Sequence, residues 1–533
     1  MLPGVCGAGI ATALPIPAVF SRLNLLTHIA SMQLPTTCTK SLMKNLALAV
    51  LVMQLALSPA NASEVSGTPE QLSEFSECTI GNAAGLLDAQ CATFSVPLNY
   101  DEPAGQTIEL KVALLESQSN DPKPDPFTLI AGGPGQSATE SFPSVSYAFR
   151  HIRQERDIVL LDQRGTGESN KLDCPHDEDE EPSLIYDKVK TEAAARKCRD
   201  ALGIDPRYFT TSVAVKDLEA LRKAMNIEQW NVYGVSYGTR VALHYLRRYQ
   251  EQVRTLILDA VVPPELTLGP DIALAAQRAL LRLFDRCEAD AGCHDAFPEL
   301  RSGTLNLLEQ LKQQPVSIEY EDIGNGTLRK SEFTDKHLAI TLRLMSYSAH
   351  GNAILPSMLS EAINNNNFAA LARQADLQMN SLDESLAGGM HNAIICTEDT
   401  PFVERNMDRS ALDQTYIGSE LLDAMFSNCT GWLPGVLDDD FKTPVVSSVP
   451  TLVLSGSDDP VTPPEYGDRV TKHLSNSLHL VNENQGHMQA SLGCMPKVLA
   501  EFIVQASVED TPVSCLERIR APSFFIDANG PLP

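Results

Sequence analysis

The strongest constraint on the fold comes from four short apolar runs, Phe127 to Ala131, Asp157 to Leu161, Trp230 to Tyr233 and Val253 to Leu258, each ending in a Gly-rich or polar turn. Runs of this length without polar alternation are the pattern of strands buried on both faces. A helical stretch, Ala214 to Met225, separates the third run from the second. Strands alternating with helices imply a mostly parallel sheet with helices on both faces, an α/β fold. Upstream, Ala92 to Pro97 and Thr107 to Leu115 alternate apolar and polar residues around the turn-rich Asn99 to Gly105, as an opening antiparallel hairpin would.

From Pro263 to Thr443 helical periodicity takes over, in Ala273 to Cys287, Leu305 to Leu311 and Lys336 to Tyr347. Residues 263–443 are therefore expected to form a mainly helical cap inserted into the sheet domain. The strand pattern resumes with Pro450 to Leu454 and Leu478 to Val481, and a closing helix follows near Lys497 to Val504. Residues 63–262 and 444–533 would then be two parts of one core.

Residues 1–62 are expected to be removed. Met43-Lys44-Asn45, the apolar run Leu46 to Leu57 and the A-x-A ending at Ala62 have the layout of an export signal, cleaved before Ser63. The run is short against the roughly 20 residues a membrane-spanning helix needs. The residues before Met43 read as an upstream extension. The formal net charge is −27, and losing the leader, which holds Arg22, Lys40 and Lys44 but no acid, makes the rest more negative still. Such a field disfavours nucleic acid and anionic membranes as partners and chiefly keeps the protein soluble. Of 12 cysteines, Cys6 and Cys38 lie in the leader. The remaining ten, an even number in an exported chain, read as disulfides. Proximity pairs Cys78 with Cys91, Cys174 with Cys198, Cys287 with Cys293, Cys396 with Cys429, and Cys494 with Cys515. A periplasmic or extracellular destination follows. With no Cys-x-x-Cys, zinc and thioredoxin-like chemistry are disfavoured.

Gly234-Val235-Ser236-Tyr237-Gly238 lies between a strand and a helix beginning near Thr239. The bare G-x-S-x-G pattern would arise by accident on the order of 0.1 to 0.2 times in a chain this long. In a strand-turn-helix setting it marks a serine held on a sharp turn, its hydroxyl at the head of a helix where amide donors point. Serine is a weak nucleophile unless an imidazole takes its proton and a carboxylate holds that imidazole. Both partners follow in the order Ser, acid, His. Ser455 to Pro463 follows one strand and contains Asp458 and Asp459, of which Asp459 is preferred; Gln485-Gly486-His487-Met488 follows the next. The other ten histidines lack this setting. The Gly-rich loop Ala131 to Gln136 also follows a strand, so the backbone N–H groups of Gly133 and Tyr237 are candidates for an oxyanion hole. Asp162 to Ser169 reads as a structural turn buttressing that loop.

Taken together, Gly132-Gly133-Pro134-Gly135, Asp162 to Ser169, Gly234 to Arg240, Gly456 to Pro463 and Gly486-His487 resemble the prolyl iminopeptidase and tripeptidyl aminopeptidase branch of the α/β-hydrolases. The resemblance spans about Cys78 to Cys515. It implies an α/β-hydrolase fold, Ser236, Asp459 and His487 as a catalytic triad, no cofactor or metal, and short peptides cut from a free N-terminus. The cap would then bind an ammonium group, for which Glu398 and Asp399 are candidates. Two positions depart from the pattern: Ala131 stands where the family usually has His, and Met488 where it has a small residue. An esterase, lactonase or amidase on the same triad is the alternative. A catalytically dead binding protein is a second, which an intact triad argues against.

Overall fold

The computed structural model describes residues 70–175, 187–321, 326–527 and 529–531. The expected leader and its cleavage site, Cys6 and Cys38, and the acidic run Asp177 to Glu181 lie outside these residues.

Twelve strands are seen among the described residues: β1 (Gln71–Leu72), β2 (Ser76–Asn82), β3 (Gly85–Pro97), β4 (Thr107–Leu115), β5 (Phe127–Ile130), β6 (Ile158–Leu161), β7 (Trp230–Val235), β8 (Val253–Asp259), β9 (Val316–Glu321), β10 (Leu328–Phe333), β11 (Thr451–Gly456) and β12 (Ser477–Asn482). Ten of them form one sheet in the order β1-β3-β4-β6-β5-β7-β8-β11-β12, with β2 paired to β3. The N-terminal strands β2, β3 and β4 run antiparallel. From β6 to β12 every neighbouring pair is parallel. Burial follows the same division. Phe127-Thr128-Leu129-Ile130 and Thr451 to Gly456 are buried at every residue, whereas Thr107 to Leu115 alternates, because only the central strands carry helices on both faces.

After β8 the chain leaves the sheet and returns at β11. The intervening helices include Pro270–Ala289, Leu300–Gln313, Asp335–Met345, Ala349–Asn365 and Ala369–Ser385. They enclose a core of their own, built on Leu280, Leu283, Phe284, Leu338, Leu342, Leu359 and Leu371. The antiparallel hairpin β9–β10 interrupts the helices. Its residues Val316 to Glu321 do alternate, but the strand is half exposed and carries charges at Glu319 and Glu321, so it lacks the buried apolar run that marks the central strands. Part of the insertion joins the main core instead: Ala387, Met390, Ala393, Ile394, Cys396 and Trp432 pack with Val241, Leu258 and Phe209.

Five disulfides occur among the described residues, Cys78–Cys91, Cys174–Cys198, Cys287–Cys293, Cys396–Cys429 and Cys494–Cys515. No helix among those residues is long and apolar enough to cross a membrane.

The turn after β6 is anchored by Arg164, which is fully buried. Its Nε and Nη2 each donate to Asp217 at 2.6 Å, Nη1 donates to the carbonyls of Leu98 and Tyr208 at 3.0 Å, and Nη2 to that of Pro97 at 3.2 Å. All five guanidinium N–H groups thus find acceptors. Asp217→Asn leaves this charge without its counter-ion and is expected to lower stability by about 3–5 kcal/mol, read as a lower midpoint of denaturant unfolding.

Candidate active site

In a parallel sheet the loops that leave the carboxyl ends of the strands share one edge, and ligands bind there. That edge gathers Gly132 to Gln136 after β5, Asp162 to Ser169 after β6, Ser236 after β7, Ser457 to Pro463 after β11, and Gly486-His487 after β12.

Ser236 has φ 54° and ψ −126°, a strained conformation for a residue with a side chain, and it immediately precedes the helix Tyr237–Arg248. The turn is over-determined by its surroundings. Ser236 N–H donates to the Asp259 carbonyl at 2.9 Å, and the Ser236 carbonyl accepts from Thr239 N at 2.9 Å and Thr239 Oγ1 at 2.6 Å. Close approach explains the two glycines of the motif. A Cβ on Gly234 would lie 2.5 Å from the Gly238 carbonyl oxygen, and one on Gly238 would lie 2.3 Å from that of Ile130. Ser236 is half-buried.

His487 Nδ1 and Asp459 Oδ2 are 2.8 Å apart. Asp459 also accepts from the N–H groups of Val461 and Thr462 at 2.8 and 2.9 Å, and from Thr462 Oγ1 at 2.7 Å. Burial works to raise its carboxyl, but the charge and hydrogen bond of His487 and the Thr462 donors outweigh it and hold the group below the ordinary carboxylate value. For His487 burial works downward; the Asp459 charge and hydrogen bond overcome it and leave the imidazole above its ordinary 6.5. Of the two neighbouring aspartates Asp459 meets His487, whereas Asp458 accepts from Arg282 Nε at 2.6 Å.

The Gly-rich loop lies against the serine: a Cβ on Gly132 would come 3.2 Å from Ser236 Cβ and 3.3 Å from the Val235 oxygen. Gly133 and Gly135 take φ +105° and +111°, which only glycine adopts without strain. Asp162 supports the loop from behind, accepting from Ser137 Oγ, Thr139 N and Thr139 Oγ1, each at 2.8 Å.

The two expected ammonium receptors are fully buried and already engaged. Asp399 is bound by Arg240 through Nη1 and Nη2, both at 2.9 Å, and Glu398 accepts from Thr211 N at 2.7 Å and Thr211 Oγ1 at 2.9 Å. A substrate amine could reach either one only by displacing these donors.

Three supports of the site escaped the sequence reading. Asp259, at the end of β8, accepts from Gln489 N at 2.8 Å, Ala490 N at 2.9 Å and Tyr233 Oη at 2.8 Å, tying the His487 turn to the strand beside the serine. Burial pushes its carboxyl up to about 6. A single acid closing the apolar run Leu256-Ile257-Leu258 was the available signal. Thr462 is the second. Tyr347 of the cap is the third: its carbonyl accepts from His487 N at 2.8 Å, and its ring meets the imidazole edge-on at 5.0 Å.

A second Ser-His-Asp set occurs nearby. Ser455 Oγ lies 2.9 Å from His479 Nε2, and His479 Nδ1 lies 2.9 Å from Asp468 Oδ1. Ser455, however, sits inside the fully buried strand β11, and the backbone of Gly467 packs so close that a Cβ there would lie 2.3 Å from His479 Nε2. It has neither a strained turn nor room for a substrate. These bonds tie β11, β12 and the helix Pro464–Thr471 together.

Residues 125–292, which include the Gly-rich loop and Ser236, match the α/β hydrolase fold family, and residues 414–515, which include Asp459 and His487, match the TAP-like protein family. The chain has the α/β-hydrolase fold. The serine protease Hip1 of Mycobacterium tuberculosis is 25% identical to this chain over 463 residues, covering 80% of this chain and 87% of that protein. The tripeptidyl aminopeptidase of Streptomyces coelicolor is 29% identical over 192 residues, covering 33% of this chain and 35% of that one. Of solved structures, the proline iminopeptidase of Mycobacterium smegmatis aligns with TM-score 0.35 at 14% identity, over 81% of this chain and 98% of that one.

Proposed function

We propose that this α/β-hydrolase is an exported serine peptidase that shortens peptides from a free N-terminus, with Ser236 as nucleophile, His487 as general base and acid, and Asp459 as the carboxylate that orients it. The reading is carried by the 2.8 Å Asp459–His487 pair, which shares the carboxyl edge of the sheet with the strained turn at Ser236. The similarity to a serine protease and a tripeptidyl aminopeptidase supports a peptide substrate, and the five disulfides support an oxidising compartment, periplasm or medium.

In this mechanism His487 Nε2 removes the proton from Ser236 Oγ as the oxygen bonds to the scissile carbonyl carbon. The N–H groups of Gly133 and Tyr237 stabilise the resulting oxyanion. The C–N bond then breaks as His487 returns its proton to the leaving amine, and water releases the acyl group by the reverse sequence. Asp459 holds the Nδ1–H tautomer and stabilises the imidazolium.

Mass spectrometry of products from a defined peptide mixture tests the reading. Free peptides are expected to lose N-terminal fragments while their N-acetylated counterparts remain intact. Internal cuts in blocked peptides would overturn the aminopeptidase assignment, and turnover of simple esters alone would overturn the peptidase. A fluorophosphonate probe should label Ser236; labelling should persist in Ser455→Ala, because the buried set beside β11 has no access to the probe.

A further inference from the structure

The two oxyanion donors come from separate parts of the chain, Gly133 from the loop after β5 and Tyr237 from the first residue of the helix after β7. One short segment of the insertion, Leu386 to Asp399, touches the elements that carry both. At its start it holds the loop. Ala387 N–H donates to the Gly135 carbonyl at 3.0 Å, and His391 Nδ1 donates to that of Pro134 at 3.2 Å. Burial holds the His391 imidazole below its ordinary value. A Cβ on Gly133 would meet Leu386 Cδ2 at 3.0 Å.

At its end the same segment grips the helix. Thr211 Oγ1 lies 2.9 Å from Glu398 Oε2 and 2.7 Å from Tyr237 Oη. A hydroxyl has one proton, and Thr211 Oγ1 gives its own to Glu398 Oε2, so toward Tyr237 Oη it can only accept. The order is therefore Tyr237 O–H to Thr211 Oγ1, and Thr211 O–H to Glu398. Gln163 Nε2 donates to the same Tyr237 oxygen at 3.1 Å. The next residue, Asp399, takes both terminal nitrogens of Arg240, one turn further along the helix, at 2.9 Å. These two acids close a π-helical turn, Ile395–Asp399, a form that occurs mostly as single turns and frequently at functional sites. The Cys396–Cys429 disulfide and the 2.8 Å bond from Gly389 N–H to the Leu172 carbonyl pin it to the core.

The charges are matched internally. Glu398 and Asp399 face Arg240 and Lys442, with Lys442 Nζ at 3.6 Å from Asp399. Two acids against two cations leave no surplus negative charge to hold a substrate ammonium.

We propose that Leu386 to Asp399 is a brace for the oxyanion hole, and that Glu398, acting through Thr211 and Tyr237, is a positioning residue rather than the receptor of the substrate's N-terminus. The proposal rests on the reading of Ser236 as nucleophile. Its consequence is that disturbing Glu398 affects every acyl substrate alike, because all of them develop the same oxyanion, whereas disturbing an ammonium receptor affects only substrates with a free amine.

The test uses Thr211→Val, which removes the hydroxyl between Glu398 and Tyr237 while leaving the buried ion pairs in place, together with Glu398→Gln. Each full-length variant is assayed on p-nitrophenyl acetate, a free tripeptide p-nitroanilide and the same tripeptide N-acetylated. Expected is a fall in kcat of about 10- to 100-fold on every substrate the wild type turns over, the scale of a small misplacement of catalytic donors, with KM within about twofold. Affinity for a peptidyl trifluoromethyl ketone, which forms a tetrahedral adduct, should fall by the same factor as kcat/KM. Thr211→Ser, which keeps the hydroxyl, should restore turnover. If Glu398→Gln does not fold, by circular dichroism, Thr211→Val decides the matter. The proposal is overturned if folded Thr211→Val matches wild-type kcat, or if the loss is a rise in KM confined to the free-amine substrate. A wild type that fluorophosphonate fails to label would instead remove the reading of Ser236 itself, so the two failures are distinct.

Discussion

Ser236→Ala is expected to lower kcat by roughly 10⁶-fold, to the residual rate that binding and oxyanion stabilisation alone support. The size follows from the mechanism: without Oγ there is no acyl-enzyme, and direct attack by water lacks a nucleophile already held against the carbonyl. Substrate affinity should persist, because the hydroxyl acts in the bond-making step. Single-turnover kinetics with a peptidyl p-nitroanilide would check both halves, the missing burst and the surviving binding. The fold should also survive, since the hydrogen bonds that maintain the turn run through the Ser236 backbone to Asp259 and Thr239. Full turnover by the variant would remove Ser236 from the chemistry.

Asp459→Asn is expected to lower kcat by roughly 10⁴-fold, because the amide favours the wrong imidazole tautomer. It should also move the pH profile. His487 must be neutral to act as a base, so wild-type kcat/KM rises with pH through the His487 pKa, which Asp459 holds above 6.5. Without that charge the acidic limb shifts to lower pH. Stability runs the opposite way. A histidine raised in the folded state contributes stability that is fully present below its unfolded pKa and lost as pH rises through the folded pKa. Asp459, held below the ordinary carboxylate value, contributes stability above its unfolded pKa that is lost as pH falls through its folded one, so the pair stabilises most between the ordinary values of 3.8 and 6.5, where the carboxylate is ionised and the base is protonated and idle. Thermal midpoints inside and above this window should differ more for wild type than for Asp459→Asn. An unshifted acidic limb would count against the Asp459–His487 assignment.

How far the site could be read from the sequence varied with how local each signal was. The central strands were legible because burial on both faces leaves continuous apolar runs such as Phe127 to Ile130 and Thr451 to Leu454. The turn at Ser236 was legible because its flanking glycines are demanded by contacts within one strand-turn-helix unit and with Ile130. The hairpin β9–β10 was not, because its half-exposed strands leave no buried apolar run. Asp259 was passed over, since its partners Gln489 and Ala490 arrive 230 and 231 residues later.

Local periodicity and short motifs carry the α/β layering, the family resemblance and the chain order in which Ser236, Asp459 and His487 occur. What separates neighbouring acids from one another is visible only in the folded chain. Arg282, distant in the chain, claims Asp458 and leaves Asp459 to His487, and Arg240 and Thr211 draw Asp399 and Glu398 into the interior. The physical reason is the same in each case. A carboxylate's role is set by whichever donor meets it in the fold, and such donors come from residues that no local pattern connects to it.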